Sequence, residues 1–183
     1  VSVFKGNGND TFQPAVTTSG PFEMNQLATA DFNHDGTADL VFDNYQANTI
    51  SVMLGNGDGS FQAAVNYPAG TNLQSVAVGD FNGDGTNDVV AVGLGSGYPA
   101  TGAVAVLLGR GDGTFGPPTN CLTGGSYHSV TVGDFNGDGN ADLAVAEGSP
   151  GNQVNVLAGN GDGTFQPPVA FAVGNGPSFI GIG

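Results

Sequence analysis

Residues 80–88 read "DFNGDGTND", residues 134–142 "DFNGDGNAD" and residues 31–39 "DFNHDGTAD". Each copy puts Asp at positions 1, 5 and 9, Asn at position 3 and Gly at position 6, in a chain with only 16 acids and two basic residues. Asp, Asn and Gly are common turn residues, because Asx side chains bond their own backbone and Gly takes positive φ freely. Turn formation alone gains nothing from three crowded carboxylates, whose repulsion a divalent cation would relieve. Oxygen donors at positions 1, 3, 5 and 9 suit a hard cation, since Ca2+ takes six to eight oxygens at about 2.3–2.6 Å.

Three Ca2+ sites are therefore expected, one per copy. The first would use Asp31, Asn33, Asp35 and Asp39, the second Asp80, Asn82, Asp84 and Asp88, and the third Asp134, Asn136, Asp138 and Asp142. A backbone carbonyl at position 7, from Thr37, Thr86 or Asn140, and water would complete each shell. Mg2+ fits less well, because it prefers a smaller octahedron and keeps its waters. An EF-hand needs Glu at position 12, where this chain has Phe42, Ala91 and Val145 in expected strands. The nine-residue calcium repeat of β-helices is excluded by a period near 50.

That period appears twice over. The acidic motif begins at Asp31, Asp80 and Asp134, and a second, turn-like motif ends at Phe12, Phe61, Phe115 and Phe165, as in "GNGDGSF" at 55–61. A unit of about 50 residues that repeats has the length of a propeller blade. In one unit four strands are expected: "SVAVGD" at 75–80, "DVVAVG" at 88–93, "AVAVLLG" at 103–109 and "TFGPPTNCL" at 114–122. The first three are continuous apolar runs, as strands covered on both faces are. The fourth carries Pro117 and Pro118, tolerated at a sheet edge, and is expected at the outer edge. The extra residues of the longest unit fall in the Gly-rich loop "GLGSGYPATG" at 93–102.

The fold class expected is all-β: a β-propeller of four-stranded antiparallel blades, with three complete blades at 27–73, 74–127 and 128–175. Residues 1–26 would supply strands three and four of a partial blade, and residues 176–183 the first strand of a further one. Composition agrees, with 33 Gly, ten Pro and 39% hydrophobic residues in 183. A net charge of −14, with Lys5 and Arg110 the only Lys and Arg, excludes nucleic acid and anionic membrane surfaces as partners. No apolar run is long enough to insert into a membrane. Nine acids lie in the acidic loops, and three Ca2+ would bring −14 to −8. Cys121 reads as a small buried apolar residue. The N-terminal "VSVFKGNGND" has no signal-peptide pattern and reads as if cut from something longer.

The segments "GDFNGDGTNDVVAV" and "VLLGRGDGTFGPP" resemble the FG-GAP or VCBS repeats of bacterial extracellular proteins and, more distantly, the calcium-bearing blades of the integrin α-subunit propeller. The resemblance covers essentially the whole chain. It implies calcium in the loop between strands one and two, held by the residues named above, and a non-enzymatic role in adhesion, ligand display or protein interaction at the cell surface or outside the cell. Propellers of this type commonly have seven blades, and the first turn motif has changed to "GNGNDTF" at 6–12. The chain could be a piece of a longer propeller, a small ring with one deficient blade, or a protomer whose split blade a neighbouring chain completes. The last would give a homo-oligomer or filament. A fragment or an assembling protomer is favoured over a self-sufficient monomer.

Other signals are weaker. The "GNGDGTF"-type turns read as hairpins between strands three and four, with one Asp each at Asp58, Asp112 and Asp162. Phe32, Phe81 and Phe135 read as plugs that hold the acidic loops. "RGD" at 110–112 is the same turn with Arg for Asn, and "NDT" at 9–11 matches a glycan acceptor pattern. His34 is expected to face water. No nucleophile elbow or H-E-x-x-H motif occurs, so a hydrolase could rest only on Asp43 and Glu147, at the ends of second strands. The partner expected is a protein, with a glycan bound in lectin fashion as the alternative.

Overall fold

The computed structural model describes residues 1–19, 23–96 and 101–182, and among these there is no helix. Part of the expected Gly-rich loop, 97–100, and the last residue of the expected terminal strand lie outside the described residues. Three four-stranded antiparallel sheets follow one another along the chain. The first holds β3 (Leu27–Ala30), β4 (Asp39–Asn44), β5 (Thr49–Met53) and β6 (Val65–Pro68). The second holds β7 (Leu73–Gly79), β8 (Asp88–Gly93), β9 (Gly102–Leu107) and β10 (Thr119–Gly125). The third holds β11 (Tyr127–Gly133), β12 (Asp142–Glu147), β13 (Gln153–Leu157) and β14 (Val169–Ala172). Each sheet is a simple up-and-down meander. Leu73 and Tyr127 open sheets that the expected boundaries start one residue later.

Sequence alternation explains the stacking. Along β8, Val89 and Ala91 join Val41, Ile50 and Val52 of the first blade in one core, while Val90 and Val92 join Leu143, Val145 and Leu157 of the third in another. Successive side chains of a strand point to opposite faces, and here both faces are covered, so every residue of β8 is buried. A buried Val or Leu side chain contributes about 1.5–3 kcal/mol relative to exposure. The fourth strands are the opposite case: β14 is exposed throughout and β6 nearly so.

The first strands lie innermost, with β7 packed along both β3 and β11. A central cavity of about 430 Å³ is lined by β3, β7, β11 and residues 179–182. The Ile180 N–H donates to Ser129 Oγ at 3.3 Å, as the Val130 N–H does to Ser75 Oγ at 3.3 Å. Residues 176–182 thus take a first-strand position but, contrary to expectation, form no strand, because no second strand pairs with them among the described residues. At the other end β1 (Ser2–Val3) and β2 (Val16–Thr17) make a two-stranded sheet. Val1 packs against a third core of Leu40, Phe42 and Met53 on the first blade.

The fourth strand is corrected. It does not begin at 114, and Pro117 and Pro118 precede it rather than lying in it: Phe115 bridges back to Gly109, and the ladder starts at Thr119. Proline has no N–H to give the ladder, so pairing resumes only beyond the pair. Pro167 and Pro168 likewise precede β14. The outer-edge position of these strands holds.

Candidate functional site

Each acidic loop joins the first two strands of a blade. Its outer carboxylates are turned onto their own backbone. At position 1, Asp31, Asp80 and Asp134 accept the N–H of Gly36, Gly85 and Gly139 at 2.9, 2.9 and 3.0 Å. At position 5, Asp35, Asp84 and Asp138 accept the N–H of Thr37, Thr86 and Asn140 at 2.8, 2.7 and 2.8 Å. The position 3 amides of Asn33, Asn82 and Asn136 donate to those same position 5 carboxylates, each at 2.9 Å. Position 7 enters through its side chain in two loops, where the hydroxyls of Thr37 and Thr86 donate to Asp35 and Asp84.

Position 9 is different. Asp39, Asp88 and Asp142 are buried, with one carboxylate oxygen taking the N–H of the loop phenylalanine and the other the N–H of the glycine that follows the third strand. For Asp88 these are Phe81 at 2.8 Å and Gly109 at 2.7 Å. For Asp39 they are Phe32 and Gly55, and for Asp142 Phe135 and Gly159, all at 2.8 Å. One carboxylate thus ties the first loop of a blade to its second. The glycine is required by close approach: a Cβ on Gly109 would lie 2.4 Å from the Asn87 carbonyl oxygen. This fastening was not foreseen from sequence, although the glycine that opens every "GNGDGTF" turn, as at Gly109, was its signal.

Electrostatics distinguish Asp88 from the carboxylates at position 5. Hydrogen bonds from the Thr37 and Thr86 hydroxyls and from the Asn140 N–H hold Asp35, Asp84 and Asp138 below the usual carboxylate value. Burial pushes Asp88 up, and the nearby charges of Asp84 and Asp80 push it further. Among the described residues no three His, Cys, Asp or Glu side chains converge in metal-binding geometry. The residues nevertheless fit a hard cation chemically. Every donor is an oxygen, an ionised carboxylate has about four lone-pair sites of which the outer ones spend two or three on donors of their own loop, and the repulsion felt by Asp88 is one that a cation would cancel.

The second turn motif is a hairpin closed by the bridges Gly55–Phe61, Gly109–Phe115 and Gly159–Phe165, with Gly6–Phe12 in the N-terminal sheet. Its Asp is satisfied locally: the Asp112 carboxylate takes the N–H and hydroxyl of Thr114 at 2.9 and 2.6 Å, and Asp58 and Asp162 do the same with Ser60 and Thr164. Asp112 of the "RGD" tripeptide is thus part of the turn. Asn9 lies exposed, its amide oxygen accepting the Thr11 hydroxyl at 2.6 Å.

These hairpins lock one blade to the next. Phe115 of the second blade meets Phe32 and Tyr67 of the first edge-on, with ring centroids 5.3 and 5.4 Å apart. Phe165 of the third meets Phe81 of the second at 5.7 Å. The Gly113 and Gly163 N–H groups donate to the carbonyls of Phe32 and Phe81 at 3.0 and 2.8 Å. Phe32 and Phe81 are therefore plugs between blades rather than within loops, and Phe135, which meets no such turn among the described residues, is 41% exposed. His34 is exposed, as expected, with the edge of its ring beside Gly111 of the second blade's turn. A polar cleft of about 370 Å³ opens between the second and third acidic loops, lined by Asp80, Asp134, Asn140 and Gly161.

The two acids of the hydrolase reading, Asp43 and Glu147, lie on different blades and are each bonded to their own neighbours. Asp43 is fully buried on the first blade, accepting the N–H groups of Asn25 and Gln26 at 3.0 and 2.7 Å. Glu147, on the third, accepts the side-chain amides of Gln153 and Asn155 at 2.8 Å each.

A lectin of Agrocybe aegerita, described as specifically recognising non-reducing terminal N-acetylglucosamine, is similar in fold, with a TM-score of 0.65 and 26% identity over 92% of this chain. The chain spans 45% of that lectin's length. The Photorhabdus luminescens Tc holotoxin pore (TM-score 0.46, 22% identity, 81% of this chain and 7% of that one) and the V. cholerae biofilm matrix protein Bap1 (TM-score 0.40, 20% identity, 83% and 29%) are more distant. No curated protein matches the chain. Among the described residues no helix is long and apolar enough to cross a membrane. The FG-GAP-like repeat model matches residues 43–91, 88–145 and 134–183, well over half of the chain, so this all-β stack of propeller blades belongs to the FG-GAP repeat family.

Proposed function

We propose that the chain is a non-enzymatic, calcium-binding propeller module that works outside the cell or at its surface, in adhesion or protein interaction. The observation that carries this reading is the recurrence of one oxygen-donor set in three loops, the first two of which abut the next blade. Ca2+ in each loop would neutralise carboxylates, and in the first two it would stiffen the segment on which the following blade is locked. Metal that binds only the folded chain adds its binding energy to stability, about 2.7 kcal/mol per site at a free concentration of 100 Kd.

A second reading is favoured by the lectin likeness: a glycan bound in the polar clefts between acidic loops, such as the one beside Asp80 and Asp134. Calorimetric titration with CaCl2 tests the first reading, with three equivalents bound as the supporting result and none as the opposing one. A glycan array probed with and without Ca2+ tests the second, and binding abolished by Asp134→Asn would place the sugar at that cleft.

A further inference from the structure

The three acidic loops are near copies, yet the two junctions between them differ. Where the first loop meets the second, position 8 of the second loop is Asn87, and its side-chain amide donates across the junction to the Asp31 carbonyl at 2.8 Å. Asn87 is also held on its own blade, since its carbonyl lies against Gly109, where an added Cβ would come within 2.4 Å of it. Its chain neighbours are Thr86 and Asp88, positions 7 and 9 of the second donor set, and Asp31 is position 1 of the first. A second contact lies beside this bond. The His34 ring of the first loop and the Thr86 methyl of the second converge on Gly111, where an added Cβ would lie 3.3 and 3.2 Å from them.

Where the second loop meets the third, neither contact is available. Position 8 is Ala141, which has no side-chain donor, and Gly83 stands where His34 stands in the first loop. Both residues line the polar cleft of about 370 Å³ that opens there. The hydrogen bonds from Gly113 and Gly163 to the carbonyls of Phe32 and Phe81 are common to both junctions and do not account for the difference. We propose that Asn87 couples the first two Ca2+ sites, so that filling either one raises the affinity of the other, while the third site fills without such help. A cation in the first loop fixes Asp31 by its carboxylate, and with it the carbonyl that Asn87 bonds. Residues 86–88 are then ordered before the second cation arrives, and ordering that one ligand has already imposed favours the next. Linkage makes the effect reciprocal. Charge works the other way at both junctions, because each bound cation weakens the negative field at the neighbouring loop. Asn87 is thus a positioning residue and not itself a ligand. The inference rests on the calcium reading above and concerns how those sites fill.

Calorimetric titration with CaCl2 at about 150 mM salt, where charge effects between loops are damped, measures the coupling as a ratio. Asp35→Asn, Asp84→Asn and Asp138→Asn each silence one site, so one substitution leaves a pair of sites and two leave a single site. The coupling is the overall association constant of a pair divided by the product of its two single-site constants. It should be about five for the first and second sites, in Asp138→Asn, and about one or below for the second and third, in Asp35→Asn. Asn87→Ala should bring the first ratio down to the second while the single-site constants hold. Alanine stands at this position in the other two loops, as Ala38 and Ala141, so the substitution is compatible with the fold. A merely structural role for Asn87 would lower the single-site constants and leave the ratio as it was. Equal ratios for the two pairs, or a first ratio that survives Asn87→Ala, would overturn the coupling alone, provided the wild type still binds three equivalents. A protein that binds no Ca2+ would overturn the coupling and the calcium reading together.

Discussion

Two sets of carboxylates come from one nine-residue motif and meet opposite surroundings. The outer set, at positions 1 and 5, is solvent-exposed or nearly so, and each member accepts a backbone N–H from its own loop. The inner set, Asp39, Asp88 and Asp142, is buried and spans two loops of a blade. The difference teaches that the motif's spacing meets two demands at once. Eight residues after the first Asp the chain has turned inward, so the last Asp fastens the blade while the others crowd their charge outside.

Substitutions can break that division in order of size. Gly109→Ala should cost most, about 3 kcal/mol, because its Cβ would drive into the Asn87 carbonyl and part the turn from Asp88. Urea unfolding would measure it, and a loss under about 0.5 kcal/mol would show that the inner fastening is slack. Asp88→Asn should cost about 2 kcal/mol in chelator, since an amide offers one acceptor where two buried N–H groups need one each. By contrast Asp84→Asn should leave metal-free stability within about 0.5 kcal/mol, as for other surface changes, yet remove one equivalent of bound Ca2+. If both substitutions had equal effects without metal, the distinction between inner and outer sets would fail.

Acid offers the smallest and finest test. The lowered carboxyls of Asp35, Asp84 and Asp138 contribute stability above 3.8, and this is lost as pH falls through their lowered values. Asp88, raised by burial, acts in the opposite sense: its contribution is full below 3.8 and is lost as pH rises through its raised value. Metal-free protein should therefore lose stability below pH 3.8, Thr86→Val should flatten that loss, and Asp88→Asn should remove the opposing gain that the wild type shows as pH falls from the raised Asp88 value to 3.8. Thermal melts in chelator at pH 3 and pH 5 would read all three.

Much of this was legible in the sequence because repetition multiplies weak signals. The apolar runs of β8 and β9 announced strands covered on both sides, and four copies of the "GNGDGTF"-type turn gave the blade period. What stayed hidden depended on neighbours in space. Phe32 and Phe135 sit in the same motif, and the second blade's turn, packed on Phe32, leaves it 3% exposed while Phe135 is 41% exposed. Position 9 read as one more oxygen, because hydrogen bonds to the Phe81 and Gly109 N–H groups cannot be seen until two loops meet. Pro117 and Pro118 pointed to the right sheet edge but the wrong strand start, since bridge formation by Phe115 is set by the turn and not by composition.

Under the proposed function, the three outer carboxylate sets hold Ca2+ and thereby stabilise the blade stack. It is tested most directly by thermal unfolding with saturating Ca2+ and with chelator, alongside the bound stoichiometry. The account predicts three equivalents and a melting temperature several degrees higher with metal, falling stepwise in Asp35→Asn, Asp84→Asn and Asp138→Asn. Identical melting temperatures in Ca2+ and in chelator, with no metal bound, would contradict it.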